Sequence, residues 1–272
     1  MEDFISTLNH RVYTGRNAVN QHAGLSNLFS SEQAILSRLR AEITGKRLLD
    51  IGVGGGRTTP ALLDMSSNYT AIDYSPEMVQ ATRRRFGLNS VWCCDARDMN
   101  RFTDSSFDFA LFSFNSIDYI PYPQRWRIIG EVARVLSPAG IFMFSSHNRD
   151  LHDIGKLPWQ RENLNWTPGF VKQCLKALLC LPRHARLRRH EVYEPDYAVV
   201  NDNAFSYSML TCYVTISAQT HELLRAGFSD VRAHDMHGRV VTKDRSSRWI
   251  YYVARKSTIV PAKLGTEKVI AN

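Results

Sequence analysis

Residues 50–57 read Asp-Ile-Gly-Val-Gly-Gly-Gly-Arg, one acid and four glycines directly after an apolar run. Glycine has no Cβ and tolerates positive φ, so such density marks backbone that turns sharply or meets a ligand closely. The dinucleotide fingerprint G-x-G-x-x-G/A, begun at Gly52 and Gly54, needs a small residue where Arg57 stands, and it fails there. A second group, Ser145-Ser146-His147-Asn148, closes another apolar run, and its imidazole is suited to take a proton from a hydroxyl, which makes His147 the candidate base. A third group lies in SFNSIDYI. There Asn115, Asp118 and Tyr119 are placed to bind or orient an acceptor, unless Ile117 and Ile120 merely hold a loop whose polar groups face water.

These groups need a frame that brings distant ends together. The runs 47–52, 69–73, 90–95, 107–113 and 140–146 are short and apolar, as buried strands are. Helical patterns separate them: 30–43 with a capping box from Ser30 to Gln33, a helix after Gly56, one starting at Pro76 behind an N-capping Ser75, and one over 124–136. Strands alternating with helices predict right-handed crossovers and a doubly wound, mostly parallel α/β sheet, whose ligands sit at the C-terminal strand ends. After Asn148 the rhythm stops and returns with a helix near 218–226, a strand near 230–234 and a last strand over 249–255. The division that follows is 1–46 as N-terminal helices covering the site, 47–150 with 213–256 as the core, 151–212 as an insertion after the fifth strand, and 257–272 as a loose tail.

Read from its aspartate, the glycine stretch is D-x-G-x-G-x-G, which resembles motif I of the class I S-adenosylmethionine-dependent methyltransferases. The resemblance continues along the chain. Asp73 follows about twenty residues later at the end of the second strand, Asp95-Ala96 ends the third, FDFALFSFNSIDYI resembles the fourth-strand motif, and RVLSPAG is close to R-V-L-x-P-G-G with Ala139 replacing a glycine. It covers residues 48–148 and, more loosely, 217–255. It implies a seven-stranded sheet with an antiparallel last strand and S-adenosylmethionine as cofactor, leaving as S-adenosylhomocysteine. On that reading Gly52, Gly54 and Gly56 pass against its methionine and ribose, Asp50 anchors their turn and faces the ammonium directly or through water, and Asp73 accepts the ribose hydroxyls. Tyr74 and Met78 pack on the adenine, although Met78 fits a core position equally well; Asp95 and Ala96 meet the adenine edge, and Ser113 and Phe114 lie beside the sulfonium. Arg57 reaches the cofactor carboxylate or stands solvated at a helix start, while Tyr13 and Arg16 fold over the cofactor as a lid.

The net charge of +8 favours anionic partners. Lys172, Lys176, Arg183, Arg186, Arg188 and Arg189 form a run without an acid among them, which is either a binding face or a solvated one. The N-terminus lacks a signal-peptide pattern and no apolar run approaches a membrane span, so the expected location is cytoplasmic. Five cysteines without a C-x-x-C pair fit neither a disulfide framework nor zinc, and no metal is expected. In the insertion, Phe170, Val171, Cys174, Leu175, Leu178 and Leu179 share one face of a helix over 168–181, read first as a lid over the acceptor and second as a basic amphipathic helix touching a membrane or carrier protein. The acceptor expected is a small molecule methylated on oxygen, a sugar or secondary metabolite, with an anionic one favoured by the basic charge. The alternatives are N-methylation of a small amine or peptide, and a nucleic-acid or carrier-protein-binding relative; SFNS stands where amino-group nucleic-acid methyltransferases carry N/D-P-P-Y/F, which makes nucleic acid the weaker partner.

Overall fold

The computed structural model describes residues 2–15, 27–162 and 164–258. Five strands run parallel in the order β3-β2-β1-β4-β5: β1 (Leu48–Ile51), β2 (Tyr69–Asp73), β3 (Val91–Cys93), β4 (Phe107–Phe112) and β5 (Leu136–Asn148). The order reverses between β1 and β4, and the crevice this opens lies beyond their C-terminal ends. The insertion adds β6 (Val192–Tyr193), β7 (Tyr197–Val200) and β8 (Thr211–Val214), with β8 parallel to the end of β5 through His147↔Tyr213 and Asn148↔Val214. On the other side come β9 (Phe228–His234), the short β10 (Val240–Val241) and β11 (Trp249–Lys256), which runs antiparallel to β5 and β9. The seven expected strands are thus present in the order 3-2-1-4-5-11-9, with the last one antiparallel.

The described α-helices are α1 (Glu2–Tyr13), α2 (Ser30–Ile43), α3 (Thr59–Met65), α4 (Pro76–Phe86), α5 (Tyr122–Val135), α6 (Pro168–Arg188) and α7 (Ile216–Arg225). Period-two alternation sorts the strand residues between two cores. Phe109, Leu111 and Met143 pack with Leu36 and Leu39 of α2, Leu62 of α3 and Val79 of α4. Their neighbours Ala110, Phe112, Phe142 and Phe144 pack with Ile128, Ile129 and Val132 of α5 and Leu223 of α7. Because helices cover both faces, the strands read as unbroken apolar runs. Helix α4 starts as expected, with Ser75 accepting the Met78 N–H at 3.3 Å and Pro76 in the first turn, and Gly87 ends it at φ 66°.

Two local expectations shift. The N-cap of α2 is Phe29, not Ser30, and the Glu32 carboxylate, not Gln33, accepts the Phe29 N–H at 2.9 Å, so the pattern is displaced by one residue. Helix α6 runs seven residues past the expected 181, through Pro182 to Arg188. Its inward face is Ala177, His184 and Leu187, and the apolar stripe Val171, Leu175, Leu178 and Leu179 is exposed. Arg16 and all but the first two residues of the tail 257–272 lie outside the described residues.

Candidate functional site

The crevice floor is the loop after β1. Gly52 (φ 63°) and Gly54 (φ 54°) both need the left-handed region, and both line the crevice. A Cβ on Gly54 would project into open space, so this stretch of backbone stands bare toward the crevice. Gly56 is different: it does not line the crevice, and a Cβ there would sit 2.3 Å from Cε2 of Phe86, so helix packing excludes its side chain. The Asp73 carboxylate spans the floor, Oδ2 accepting the Gly54 N–H at 2.8 Å and Oδ1 the Ser75 N–H at 2.9 Å. Each oxygen keeps lone-pair capacity. Burial pushes the Asp73 carboxyl up to about 6 against those two bonds, which marks an anion waiting for further donors.

Asp50 does not join the crevice lining. It is buried behind the loop, accepting from Thr58 Oγ1 at 2.7 Å and from the Tyr69 hydroxyl at 2.9 Å, and burial raises it too to about 6. Its position supports the anchoring part of its expected role and removes direct contact with an ammonium. Arg57 lines the crevice but is not free in it. It is buried, with Nη1 and Nη2 on the Glu32 carboxylate at 2.6 and 2.7 Å, Nη2 on Ser113 Oγ at 2.5 Å and its guanidinium 4.5 Å from the Phe29 ring centre. The solvated reading is therefore wrong, and a fully buried ion pair clamps α2 to the glycine loop. Ser113 lines the crevice too, but its hydroxyl is engaged, since it also donates to Glu32.

The far wall holds Tyr74, Met78, Asp95 and Ala96 in one lining. Met78 is buried there, so its adenine-facing and core readings merge. Asp95 has both oxygens on Arg97, with bonds of 2.6 to 3.0 Å; burial opposes, but the guanidinium wins and holds the carboxyl below its usual range. Helix α1 closes the top with Ser6, Asn9, His10 and Tyr13, and the rings of Tyr13 and His10 stand 6.3 and 5.2 Å from Tyr74. The spacing of these four residues was visible in the sequence, yet only Tyr13 was singled out there. Glu32 and Arg97 were missed, because nothing local marks a carboxylate or guanidinium whose partner lies far along the chain.

A second cavity adjoins the crevice, and Phe114 and Tyr119 line both. Two successive left-handed residues, Phe114 (φ 57°) and Asn115 (φ 55°), make the turn that puts them on this border. Asn115 lines the second cavity, and its Oδ1 is buried without a hydrogen-bond partner among the described residues. His147 lines it as well, with its ring against Tyr213 at 4.8 Å. Asp118, expected at the mouth, is instead fully buried behind His147. It accepts from the His147 backbone N–H at 2.6 Å, His147 Nδ1 at 2.7 Å and Ser146 Oγ at 2.7 Å, and pairs with the wholly buried Arg125. Nδ1 is thereby fixed as the donor, and Nε2 has no partner among the described residues. Leu151–Arg161 and Asn201–Tyr207 of the insertion supply much of the remaining wall, whereas α6 contributes none of it. Of the cations in this lining, Lys156 is paired with Asp153, while Arg161 and Arg248 have no acidic partner among the described residues. The one carboxylate outside that pair, Asp202, takes the Tyr213 hydroxyl at 2.8 Å.

Residues 49–144 match the model of the family described as "Methyltransferase domain". A curated relative, ubiquinone biosynthesis O-methyltransferase from Xanthomonas oryzae pv. oryzae, is 34% identical over 115 residues, 40% of this chain and 46% of that protein. The chain thus spans less than half the length of that relative. Among solved structures, an S-adenosylmethionine-dependent methyltransferase from Mesorhizobium loti is 16% identical, with a TM-score of 0.57 covering 83% of this chain and 98% of that one. The 1,6-didemethyltoxoflavin-N1-methyltransferase of Burkholderia thailandensis, solved with bound 1,6-didemethyltoxoflavin and S-adenosylhomocysteine, gives 16% identity and a TM-score of 0.51 over 84% of this chain and 78% of that one. The chain therefore has the Rossmann-like fold of the class I S-adenosylmethionine-dependent methyltransferases, and its residues 49–144 resemble a methyltransferase domain.

Proposed function

We propose that this protein is an S-adenosylmethionine-dependent O-methyltransferase acting on a small, anionic, hydroxyl-bearing acceptor. The observation that carries this reading is His147, held at Nδ1 by Asp118 and lining a cavity that meets the glycine-floored crevice at Phe114 and Tyr119. The crevice suits the cofactor: bare backbone at Gly54, lone pairs on Asp73 for ribose hydroxyls, and an apolar wall at Tyr74 and Met78 for adenine. When bound, S-adenosylmethionine supplies a methyl group already activated on a sulfonium. The chain's own task is then to hold the acceptor oxygen in line with that methyl and to exclude water, which α1 does by covering the crevice. His147 Nε2 takes the hydroxyl proton as the oxygen–carbon bond forms, and Asp118, itself held by Arg125, stabilises the resulting imidazolium. Asn115 Oδ1 accepts from a neighbouring hydroxyl, and Arg161 with Arg248 draws an anionic group of the acceptor. The O-methyltransferase name of the relatives supports the choice of oxygen over nitrogen.

The test is transfer of labelled methyl to 3,4-dihydroxybenzoate and to 3,4-diaminobenzoate, two anionic probes that differ in the accepting atom. The dihydroxy probe should be methylated, and His147→Ala should slow the transfer by roughly 10²–10⁴ while leaving S-adenosylhomocysteine affinity unchanged. Methylation of the diamine alone, or a folded His147→Asn protein of wild-type rate, would remove the base and with it the preference for oxygen.

A further inference from the structure

Helix α6 wears its apolar residues on the outside. Leu179 is 85% exposed, Leu175 56%, Leu178 51% and Val171 44%, and Trp166 just ahead of the helix is 76% exposed. At the helical repeat the four aliphatic residues and Pro182 share an arc about 100° wide. The opposite face is complete: Ala177, Cys180 and Leu181 pack on Leu157 and Tyr207, and Arg183 is tied to Ser206 and Ser208 at 2.9 and 2.8 Å. The helix is thus fastened to the body and still presents a continuous apolar strip, larger than scattered surface residues would make. Lys172 and Lys176 lie along one flank of that strip and Arg186 at its C-terminal end, and none of the three has an acidic partner among the described residues. No acid occurs between Lys172 and Arg189.

We infer that α6 is an interfacial membrane-docking helix, which seats Leu175, Leu178, Leu179 and Trp166 in an anionic lipid surface with Lys172, Lys176 and Arg186 on the headgroups. Charge decides among the possible occupants. A second copy meeting this face about a twofold axis would bring two basic, acid-free helices together, which like-charge repulsion opposes. An anionic bilayer matches both the strip and its flank, and the net charge of +8 adds long-range attraction. The docking is in the plane of the interface, since among the described residues no helix is long and apolar enough to cross a membrane. The inference is independent of the methyl acceptor.

Flotation of the full chain with vesicles of phosphatidylcholine, with and without phosphatidylglycerol, tests it. The protein should float with the phosphatidylglycerol vesicles and be released as salt rises. Replacing Leu175 and Leu179 by Ser should weaken that binding by roughly tenfold or more, because several buried methylene groups are lost from the interface. Lys172→Gln with Lys176→Gln should abolish the preference for phosphatidylglycerol. All these side chains are exposed and outside both cavities, so unchanged S-adenosylhomocysteine affinity certifies the fold of each variant. Failure of the wild-type chain to float, floating of the Leu variant as well as wild type, or a wild-type dimer that the Leu variant dissociates would overturn the inference, the last by showing that a second copy covers the face.

Discussion

Asp73 and Asp50 are both buried carboxyls raised to about 6, yet only Asp73 lines the crevice. That difference separates two pH effects. A carboxyl whose folded pKa exceeds its unfolded value binds its proton more tightly in the native state, so both residues add stability that is present at low pH and lost as pH rises from about 4 to about 6. Ligand affinity should respond to Asp73 alone and in the opposite sense. A charged acceptor binds ribose hydroxyls better than a neutral acid, so S-adenosylhomocysteine affinity should be level above about pH 6 and fall below it. Asp73→Ala should weaken binding at neutral pH by at least roughly tenfold, each charge-assisted bond being worth about 1.5–3 kcal/mol, and should flatten the pH profile. Calorimetry showing wild-type affinity in a folded Asp73→Ala protein would take Asp73 out of the site.

The glycine loop shows how one motif serves two ends at the level of elements. Gly54 faces the crevice, whereas Gly56 faces Phe86 at the end of α4, where a methyl group would meet the ring at 2.3 Å. Gly56→Ala combines overpacking with a left-handed φ of 79° and should lower stability by roughly 2–4 kcal/mol. Gly54→Ala carries only the conformational cost, about 1–2 kcal/mol, but places its methyl in the open floor and should cut S-adenosylhomocysteine affinity more than stability. Denaturation midpoints and calorimetry on the two variants read these effects separately. Equal stability losses would mean that the ring moves aside and that the loop is not braced on α4.

Over the whole molecule, α1, the turn after β4 and the insertion meet at Asn9. Its Nδ2 donates to the Tyr119 and Leu210 carbonyls at 2.8 Å each, and its Oδ1 accepts the Leu210 N–H at 3.1 Å. One buried side chain thereby ties together three segments that are remote in sequence. Asn9→Ala leaves these backbone groups unpaired and should cost about 2–3 kcal/mol locally. Because α1 roofs the crevice, the loss should appear as faster amide exchange across Glu2–Tyr13 and faster release of S-adenosylhomocysteine. Unchanged exchange in that helix would show that other contacts hold the roof.

The alternation of apolar runs and helices determined the parallel sheet, because strands covered on both faces must be apolar throughout and a right-handed crossover leaves few ways to join them. It also placed Gly54, Asp73, Asp95, Phe114 and His147 at the strand ends where the two cavities open. The short strands β6, β7 and β8 escaped it, since they lie in the insertion, where no strand–helix alternation frames their two to four residues. Burial and pairing across the chain were decided only by the tertiary structure. Arg57 turned inward because Glu32, twenty-five positions earlier, offered a buried carboxylate, and Asp118 moved from the mouth to the support of His147 because Arg125 waited behind it. The same is true of α6: periodicity gives a helix its apolar stripe, but which face meets the body depends on the shape it docks against, and here Ala177, His184 and Leu187 fit while the stripe stayed outside.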